Sequence, residues 1–359
     1  MALDLFADST EHYRWTGNGI DYIGLKWTEN VIASTKTGII PDGSGKTGLA
    51  IGAGIGKTMT YQNTWWTGFR VYFASSQGFG GAGQLYQIGG ANLTPFGSVT
   101  VEHDATVSLR AGNGTATLLF NTGSLNPPIT LKGFTSYYIE VFSQTSGGSS
   151  STPISVTMEL KINGVVMGTG SYSGNTAFNT SQTLNGQNTA NYHQFTGAGI
   201  VNGVAWMRDF YISANGSAPY GDVGLGAIFP YSTTTDVGWA PVGAATLFGA
   251  CNPQYPDIND DTIYITDNNP GDKCDFLFGP LTGTDPIPFV HFGVFHRKDA
   301  EGSRTFAQTM GGVDQSPSPY IAPGDDYRYD FQGFESPPGG GSWTVSNFNA
   351  TSFGVDIKT

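Results

Sequence analysis

The sequence is poor in charged residues, in cysteine and in long apolar runs. Only 12% of its 359 residues are charged and the net charge is −12, whereas an average protein has roughly 25% charged residues. A nucleic-acid binder is disfavoured, because phosphate contacts need many Lys and Arg side chains. No apolar run reaches about 18 residues, which excludes a membrane-spanning helix. We therefore expect neither nucleic acid nor a membrane as a partner.

The first ten residues lack the basic and apolar stretches of a secretory signal peptide. We therefore expect synthesis in the cytoplasm without a signal peptide. The two cysteines, Cys251 and Cys274, are too few for a disulfide scaffold. They either form one disulfide or remain two buried thiols, and we favour the thiols. No zinc site is expected, since no Cys-x-x-Cys pair or Cys/His cluster occurs.

The sequence is instead rich in glycine and aromatic residues, which is typical of all-β proteins. Apolar residues alternate with polar ones over residues 154–162 (ISVTMELKI), the pattern of a half-buried strand. Asn163-Gly164 follows, and this pair favours a two-residue hairpin turn. Similar short runs, separated by turns rich in Gly, Pro and Asp, predict further strands along the whole chain, among them 273–278 and 352–357. The fold class expected is all-β, as sandwiches or barrels.

The charge divides the chain into two parts. Residues 1–216 have 10 basic and 11 acidic side chains, whereas residues 217–359 have 6 and 17. A loop at residues 213–220 (SANGSAPY) marks the change, so we predict domains at 1–218 and 219–359. Between residues 170 and 199 the sequence is dominated by Ser, Asn, Thr, Gln and Gly, and we predict a long polar loop there.

Carboxylates at two places could support chemistry. Glu102 and Asp104 are two apart and could share one face of a strand, as a glycosidase pair would. Residues 102–104 (EHD) resemble the carboxylate cluster of jelly-roll glucanases, in which a second Glu follows two or three positions later as the acid/base. Thr106 and Val107 occupy those positions here, so the acid that the resemblance implies is absent. Asp257, Asp260 and Asp261 are weak candidates for calcium ligands outside an EF-hand. We expect no catalytic residues and no required cofactor, with calcium as the remaining possibility.

Tryptophans are the candidates for sugar binding. Trp65 and Trp66 are adjacent on a predicted strand, so one ring points to each face of the sheet. We expect one of them to be exposed or at an interface, and an exposed ring could stack on a sugar, although most aromatic residues belong to the core.

Several segments resemble tailed-bacteriophage virion proteins that contain a laminin-G/concanavalin A-like jelly roll. The resemblance rests on residues 206–216 (WMRDFYISANG), 220–230 (YGDVGLGAIFP) and the hairpin at 154–167. The second half is similar to a domain that often follows this module, through residues 236–239 (DVGW), 255–264 (YPDINDDTIY), 271–278 (GDKCDFLF), 297–304 (RKDAEGSR) and 353–357 (FGVDI).

The resemblance implies an N-terminal jelly roll followed by a C-terminal β-sandwich. It implies a structural, non-enzymatic virion component, as capsid decoration or as a tail or neck appendage. Its partners would be other virion proteins and further copies of itself. The alternative is a carbohydrate-binding adhesin on the virion surface that recognises host glycans. A jelly-roll glycosidase is the third and less favoured hypothesis.

Overall fold

A computed structural model describes the following residues: 5–8, 27, 29–31, 36–40, 44, 46–50, 54–74, 82–90, 95–112, 117–147, 154–174, 190–197, 205–214, 218–251, 263–298, 304–315, 321 and 323–359. Strands dominate these residues, so the expected all-β fold class is confirmed. No helix among them is both long enough and apolar enough to cross a membrane. The chain divides into a larger unit (Ala7–Leu225) and a smaller unit (Met1–Phe6 with Gly226–Thr359).

The larger unit consists of two sheets. Its strands are β1 (Leu5–Asp8, of which Ala7 and Asp8 belong to this unit), β2 (Glu29–Val31), β3 (Lys36–Ile39), β4 (Thr47–Ala50), β5 (Gly54–Gln62), β6 (Thr64–Phe73), β7 (Gly83–Gly89), β8 (Pro95–Val101), β9 (Val107–Ala111), β10 (Thr117–Asn121), β11 (Ser136–Ser146), β12 (Ser155–Ile162), β13 (Val165–Ser173), β14 (Ala190–Phe195) and β15 (Ala205–Ser213). The eight-stranded sheet has the order β13-β12-β11-β6-β15-β4-β3, with β1 paired to β15. The seven-stranded sheet has the order β10-β9-β8-β7-β14-β5-β2.

Apolar side chains fill the interior between these two sheets. Met158 of β12 approaches β8 so closely that a Cβ on Gly97 would lie 2.4 Å from the Met158 sulfur. Val99 and Leu109, which are paired on β8 and β9, are fully buried. Since alternate residues of a strand face opposite sides, this contact fixes which side of the seven-stranded sheet is the interior.

The hairpin predicted at Asn163-Gly164 is confirmed. β12 and β13 pair as antiparallel strands around it. Asn163 and Gly164 both have positive φ, 51° and 77°. Two such residues in succession form a type I′ turn, whose twist matches that of the flanking strands. The alternation over residues 155–162 also matches the structure, because every second side chain of β12 is buried.

The long loop predicted between residues 170 and 199 is wrong in part. Strand β13 continues to Ser173, and β14 (Ala190–Phe195) lies within the supposed loop. β14 is an inner strand, paired with both β5 and β7. The sequence of β14, ANYHQF, contains several polar residues, which is untypical of an inner strand. One of them, His193, lies on its interior face. His193 is nevertheless fully buried.

The smaller unit is built from short strands and two short helices. Its elements are β16 (Pro230–Asp236), β17 (Ala240–Val242), α1 (Leu247–Ala250), β18 (Tyr264–Thr266), β19 (Lys273–Phe278), β20 (Val290–His296), β21 (Phe306–Met310), β22 (Val313–Asp314), β23 (Arg328–Phe334), α2 (Val345–Ala350) and β24 (Ser352–Ile357). One sheet has the order β16-β19-β24-β21-β22, while β17 pairs with β18 and β20 pairs with β23.

Aromatic residues form much of the core of the smaller unit. Trp343, Phe348 and Phe353 pack together with Phe334 and Met310. The indole nitrogen of Trp343 donates to the Phe334 carbonyl oxygen at 2.9 Å. A buried Trp needs such a partner, so the hydrogen bond offsets the cost of removing the indole N–H from water.

The division between the units lies close to the predicted boundary. The prediction placed the boundary between residues 218 and 219, and the structure places it between Leu225 and Gly226. Leu5 and Phe6 group with the C-terminal part, which the sequence did not indicate.

Candidate functional site

The seven-stranded sheet of the larger unit has a polar side opposite its interior. Ser98 and Thr100 alternate along β8 with the interior residues Val99 and Val101, and Gln194 alternates with His193 and Phe195 on β14. Six of the polar residues on this side form what we name the polar face: Gln84, Gln87, Ser98, Thr100, Arg110 and Gln194. Ser108 and Tyr192, which are buried, lie on the same side of the sheet.

Strand pairing places four of these residues in one row. Arg110 lies opposite Ser98, Ser98 opposite Gln87, and Gln87 opposite Gln194. Neighbouring strands are about 4.8 Å apart, so the row extends roughly 14 Å across the sheet. Gln84 and Thr100 form a second, parallel pair two residues away. The polar face is therefore a continuous strip of hydrogen-bonding groups.

The centre of the polar face is buried. Ser98 is 0% exposed, Thr100 is 2% exposed and Gln87 is 9% exposed. The Gln84 side-chain amide donates to Gln87 Oε1 at 2.9 Å. Among the described residues, the hydroxyls of Ser98 and Thr100 are buried and have no hydrogen-bond partner. They are two of seventeen such atoms in the described part of the chain. Because they are neighbours on one side of β8, a ligand could supply a partner to both.

An ion pair lies at one end of the polar face. Arg110 Nη2 donates to Glu102 Oε1 at 2.8 Å. Glu102 directly follows β8, and both side chains are 20% exposed. The pair neutralises the positive charge of Arg110 at the end of the row.

Glu102 and Asp104 do not form a pair of catalytic carboxylates. β8 ends at Val101, and Asp104 lies in the turn that follows it. Asp104 accepts hydrogen bonds from the hydroxyl of Thr106 at 2.6 Å and from its backbone N–H at 3.0 Å. These bonds lower the pKa of Asp104, with the hydroxyl bond as the largest cause. Asp104 therefore stabilises the turn, and Glu102 binds Arg110.

A second polar cluster lies on the eight-stranded sheet. Glu140 of β11 is 1% exposed, and its Oε1 accepts from Tyr211 Oη at 2.7 Å and from Gly221 N at 2.8 Å. Burial raises the pKa of the Glu140 carboxyl group despite these bonds. Arg70 of β6 pairs with Asp222. These contacts attach residues 220–225 to the sheet.

Asp209 attaches the end of the same segment. Its Oδ1 accepts from Leu225 N at 3.0 Å, and its Oδ2 accepts from Arg208 at 2.5 Å. Asp209 has φ 55°, where the pairing of β15 with β6 is interrupted. Burial raises the pKa of Asp209, and Arg208 opposes the increase. We interpret this cluster as a structural anchor, since these hydrogen bonds engage the segment's own backbone.

Neither Trp65 nor Trp66 is exposed, so the first of the two expected placements, an exposed ring, is wrong. Trp65 is 0% exposed and Trp66 is 7% exposed. Trp65 packs edge-on against His193 in the interior, with ring centroids 4.7 Å apart. Trp66 lies on the other side of the sheet, where Phe142 and the Lys161 ammonium cover its ring. Neither indole has a free face for a sugar ring in this conformation.

His193 lies in the interior beneath the polar face. Its Nδ1 lies 2.8 Å from Tyr86 Oη and 3.4 Å from Thr67 Oγ1. Burial lowers the pKa of His193 from 6.5 to about 3. The residue is therefore neutral at physiological pH and acts as a packed aromatic ring.

The cysteine and metal candidates add no further site. Cys251 and Cys274 are free thiols, and both pack in one apolar cluster of the smaller unit. Burial raises the pKa of Cys251 to about 12. The calcium candidates Asp257, Asp260 and Asp261 lie outside the described residues. Within the described part of the chain, no group of three or more His, Cys, Asp or Glu side chains could hold a metal ion.

Comparison with known proteins shows similarity at the level of the fold. No protein-family model matches the chain, and no curated protein matches it. Alginate lyase Aly36B is 10% identical with a TM-score of 0.37, covering 59% of this chain and 97% of its own. Cellulose induced protein Cip1 is 14% identical with a TM-score of 0.41, covering 61% and 100%.

Carbohydrate binding module CBM66 from Bacillus subtilis is 6% identical with a TM-score of 0.32, covering 50% of this chain and 92% of its own. At such identities the comparisons say nothing about which residues bind or act.

Sequence reasoning did not identify the polar face. Its polar side chains alternate with apolar ones, as they would on any water-facing strand. Only the burial of Ser98 and Thr100 distinguishes them, and burial depends on the surroundings of the folded sheet. The polar alternation of Tyr192, Gln194 and Thr196 was the available indication that β14 is a strand.

Proposed function

We propose that the larger unit binds carbohydrate through its polar face. The observation that supports this proposal best is the pair of buried, unpartnered hydroxyls of Ser98 and Thr100 beside partly exposed amides. Recessed surfaces with a few well-placed polar groups are the usual form of ligand sites. The alternative hypothesis from the sequence, a glycan-binding adhesin, leads to the same ligand class.

The chemistry of the face suits sugar hydroxyl groups. Each glutamine amide offers two donors and an acceptor with two lone pairs, and each hydroxyl can both donate and accept. Sugar hydroxyls have the same dual capacity, so they can bond Gln84 and Gln194 at the partly exposed rim. Ser98 and Thr100 are paired with Gln87 and Gln84 on the neighbouring strand, and their buried hydroxyls are further groups that a sugar hydroxyl could bond.

The test uses the full chain on an array of neutral and acidic glycans. Replacing Gln194 with Ala removes a rim amide, and we expect its best ligand to bind about tenfold more weakly or worse. Gln84→Ala should act similarly, because Gln84 also holds Gln87 in place. Gln144→Ala is the matched control, since Gln144 is exposed on β11 of the other sheet.

Two results would contradict the proposal. One is the absence of binding to any glycan by the folded wild-type chain. The other is an equal loss of binding in Gln194→Ala and Gln144→Ala, which would place the site elsewhere. Thermal unfolding of each variant separates lost binding from lost folding.

We keep the virion role as a further proposal that rests on the sequence resemblance. In that role the chain would be a component of a tailed-phage particle, with other virion proteins and further copies of itself as partners. A glycan-binding face would then serve attachment to a host surface. Immunogold labelling of intact particles tests this role, and particles without the protein would contradict it.

We also keep the proposal that the chain is not an enzyme. Among the described side chains of the polar face and its end, Glu102 is the one carboxylate, and it is paired with Arg110. A glycosidase needs a second carboxyl group as an acid. Sugar release from a bound glycan, lost in Glu102→Gln, would overturn this proposal.

A further inference from the structure

The charge of the polar face is balanced within itself. Among its described side chains, Arg110 is the one cation, and Glu102 lies 2.8 Å from its guanidinium group. The other members are three glutamines, one serine and one threonine, which carry no charge. A charged hydrogen-bonding pair of this kind occupies the guanidinium edge that a ligand carboxylate would need.

We infer that the polar face selects neutral, hydroxyl-rich polysaccharide and discriminates against polyuronates and other anionic glycans. This inference rests on the proposed function and adds the class of ligand. It follows from the Arg110–Glu102 pair, because a ligand carboxylate would have to displace Glu102 or lie beside its negative charge. Specificity of this kind comes from repulsion of the wrong ligand as much as from attraction of the right one.

The charge of the whole chain acts in the same direction. The net charge of −12 repels anionic polymers at long range. Residues 1–216, which contain the polar face, have 10 basic and 11 acidic side chains, so they offer no compensating positive excess. A neutral glycan carries no charge, so neither the Glu102 carboxylate nor the net charge of the chain repels it.

The experiment measures binding of two probe sets to the full chain by calorimetry. The neutral probes are hexamers of β-1,4-linked glucose, mannose and xylose, and the anionic probes are hexamers of galacturonate and mannuronate. The variants are Glu102→Gln, which removes the carboxylate from Arg110, and the double variant Glu102→Gln/Arg110→Gln. Glu159→Gln is the matched control, because Glu159 lies 3.9 Å from Lys161 on the other sheet.

We expect the wild-type chain to bind a neutral hexamer at least about tenfold more tightly than either uronate, which corresponds to about 1.4 kcal/mol. Glu102→Gln should increase the affinity for uronate about tenfold relative to the affinity for the neutral hexamer. The double variant should lose this gain, and Glu159→Gln should behave as wild type. The gained uronate binding should weaken with added salt, whereas neutral binding should not.

Tighter wild-type binding of a uronate hexamer would overturn the inference while leaving the proposed function intact. An unchanged uronate affinity in Glu102→Gln, or an equal change in Glu159→Gln, would also overturn it. If the wild-type chain binds no probe and no glycan on the array, the proposed function fails together with the inference.

Discussion

Acid is expected to destabilise the larger unit through His193. Burial lowers the pKa of His193 from 6.5 to about 3. Between these two pH values, His193 is neutral in the folded protein and protonated in the unfolded chain. Between these pKa values the unfolded state binds more protons, and stability therefore falls as the pH decreases. Above pH 6.5 the residue is neutral in both states and makes no contribution.

The size of the destabilisation follows from the pKa shift of His193. At about pH 5, 1.5 units below the unfolded pKa, the cost is about 2 kcal/mol, at about 1.4 kcal/mol for each unit. Glu140 and Asp209 have raised pKa values, so they act in the opposite direction. Their effect is common to the wild type and a His193→Gln variant, and the difference between the two proteins isolates His193.

The assay is pulsed hydrogen exchange of the full chain in urea, followed in peptides from β6. For each protein we measure how much the free energy of unfolding decreases from about pH 7.5 to about pH 5. We expect this decrease to be about 2 kcal/mol smaller in His193→Gln than in the wild type. His103→Gln is the control, because His103 is exposed in a turn. An identical pH dependence in His193→Gln and wild type would refute the reasoning.

Two further changes test the packing of each unit by urea unfolding. Asp209→Ala should destabilise the larger unit by about 3–5 kcal/mol, because it removes the carboxylate that pairs with the buried Arg208. Asp209→Asn should cost less, since Asn tolerates the positive φ; equal losses would contradict the role assigned to the side chain of Asp209. Gly354→Ala should destabilise the smaller unit by about 1–3 kcal/mol or more, because the new Cβ would lie 2.0 Å from the Cys274 carbonyl oxygen. Gly224→Ala, with open space around it, should stay within about 0.5 kcal/mol, and a matching loss there would contradict the steric argument.

The hairpin around Asn163-Gly164 was predictable because its information is local. The alternation of β12 and the turn chemistry of two residues agree with each other. The strands β19 and β24 were predicted at 273–278 and 352–357 for a similar reason, as apolar runs between turns.

β14 was not predicted from the sequence, because its interior face includes a polar residue, His193. His193 is buried through contacts with Tyr86, Thr67 and Trp65, which come from distant strands. Composition alone therefore assigned a polar segment to a loop. Tertiary contacts of this kind override local preference.

The polar face could not be predicted, since it depends on the register of several strands. The row that joins Arg110, Ser98, Gln87 and Gln194 draws on strands separated by many residues in sequence. The two tryptophans were correctly placed on opposite sides of β6. Their burial follows from what covers each side, such as Phe142 over Trp66.

The most direct test of the central claim is hydrogen exchange of the wild-type chain with and without a saturating neutral hexasaccharide. We predict increased protection in peptides from β7, β8 and β14, which form the polar face. Peptides from β12 and β13 of the other sheet should be unchanged. Protection confined to β12 and β13, or absent from β7, β8 and β14 when ligand is bound, would contradict the assignment of the polar face as the carbohydrate site.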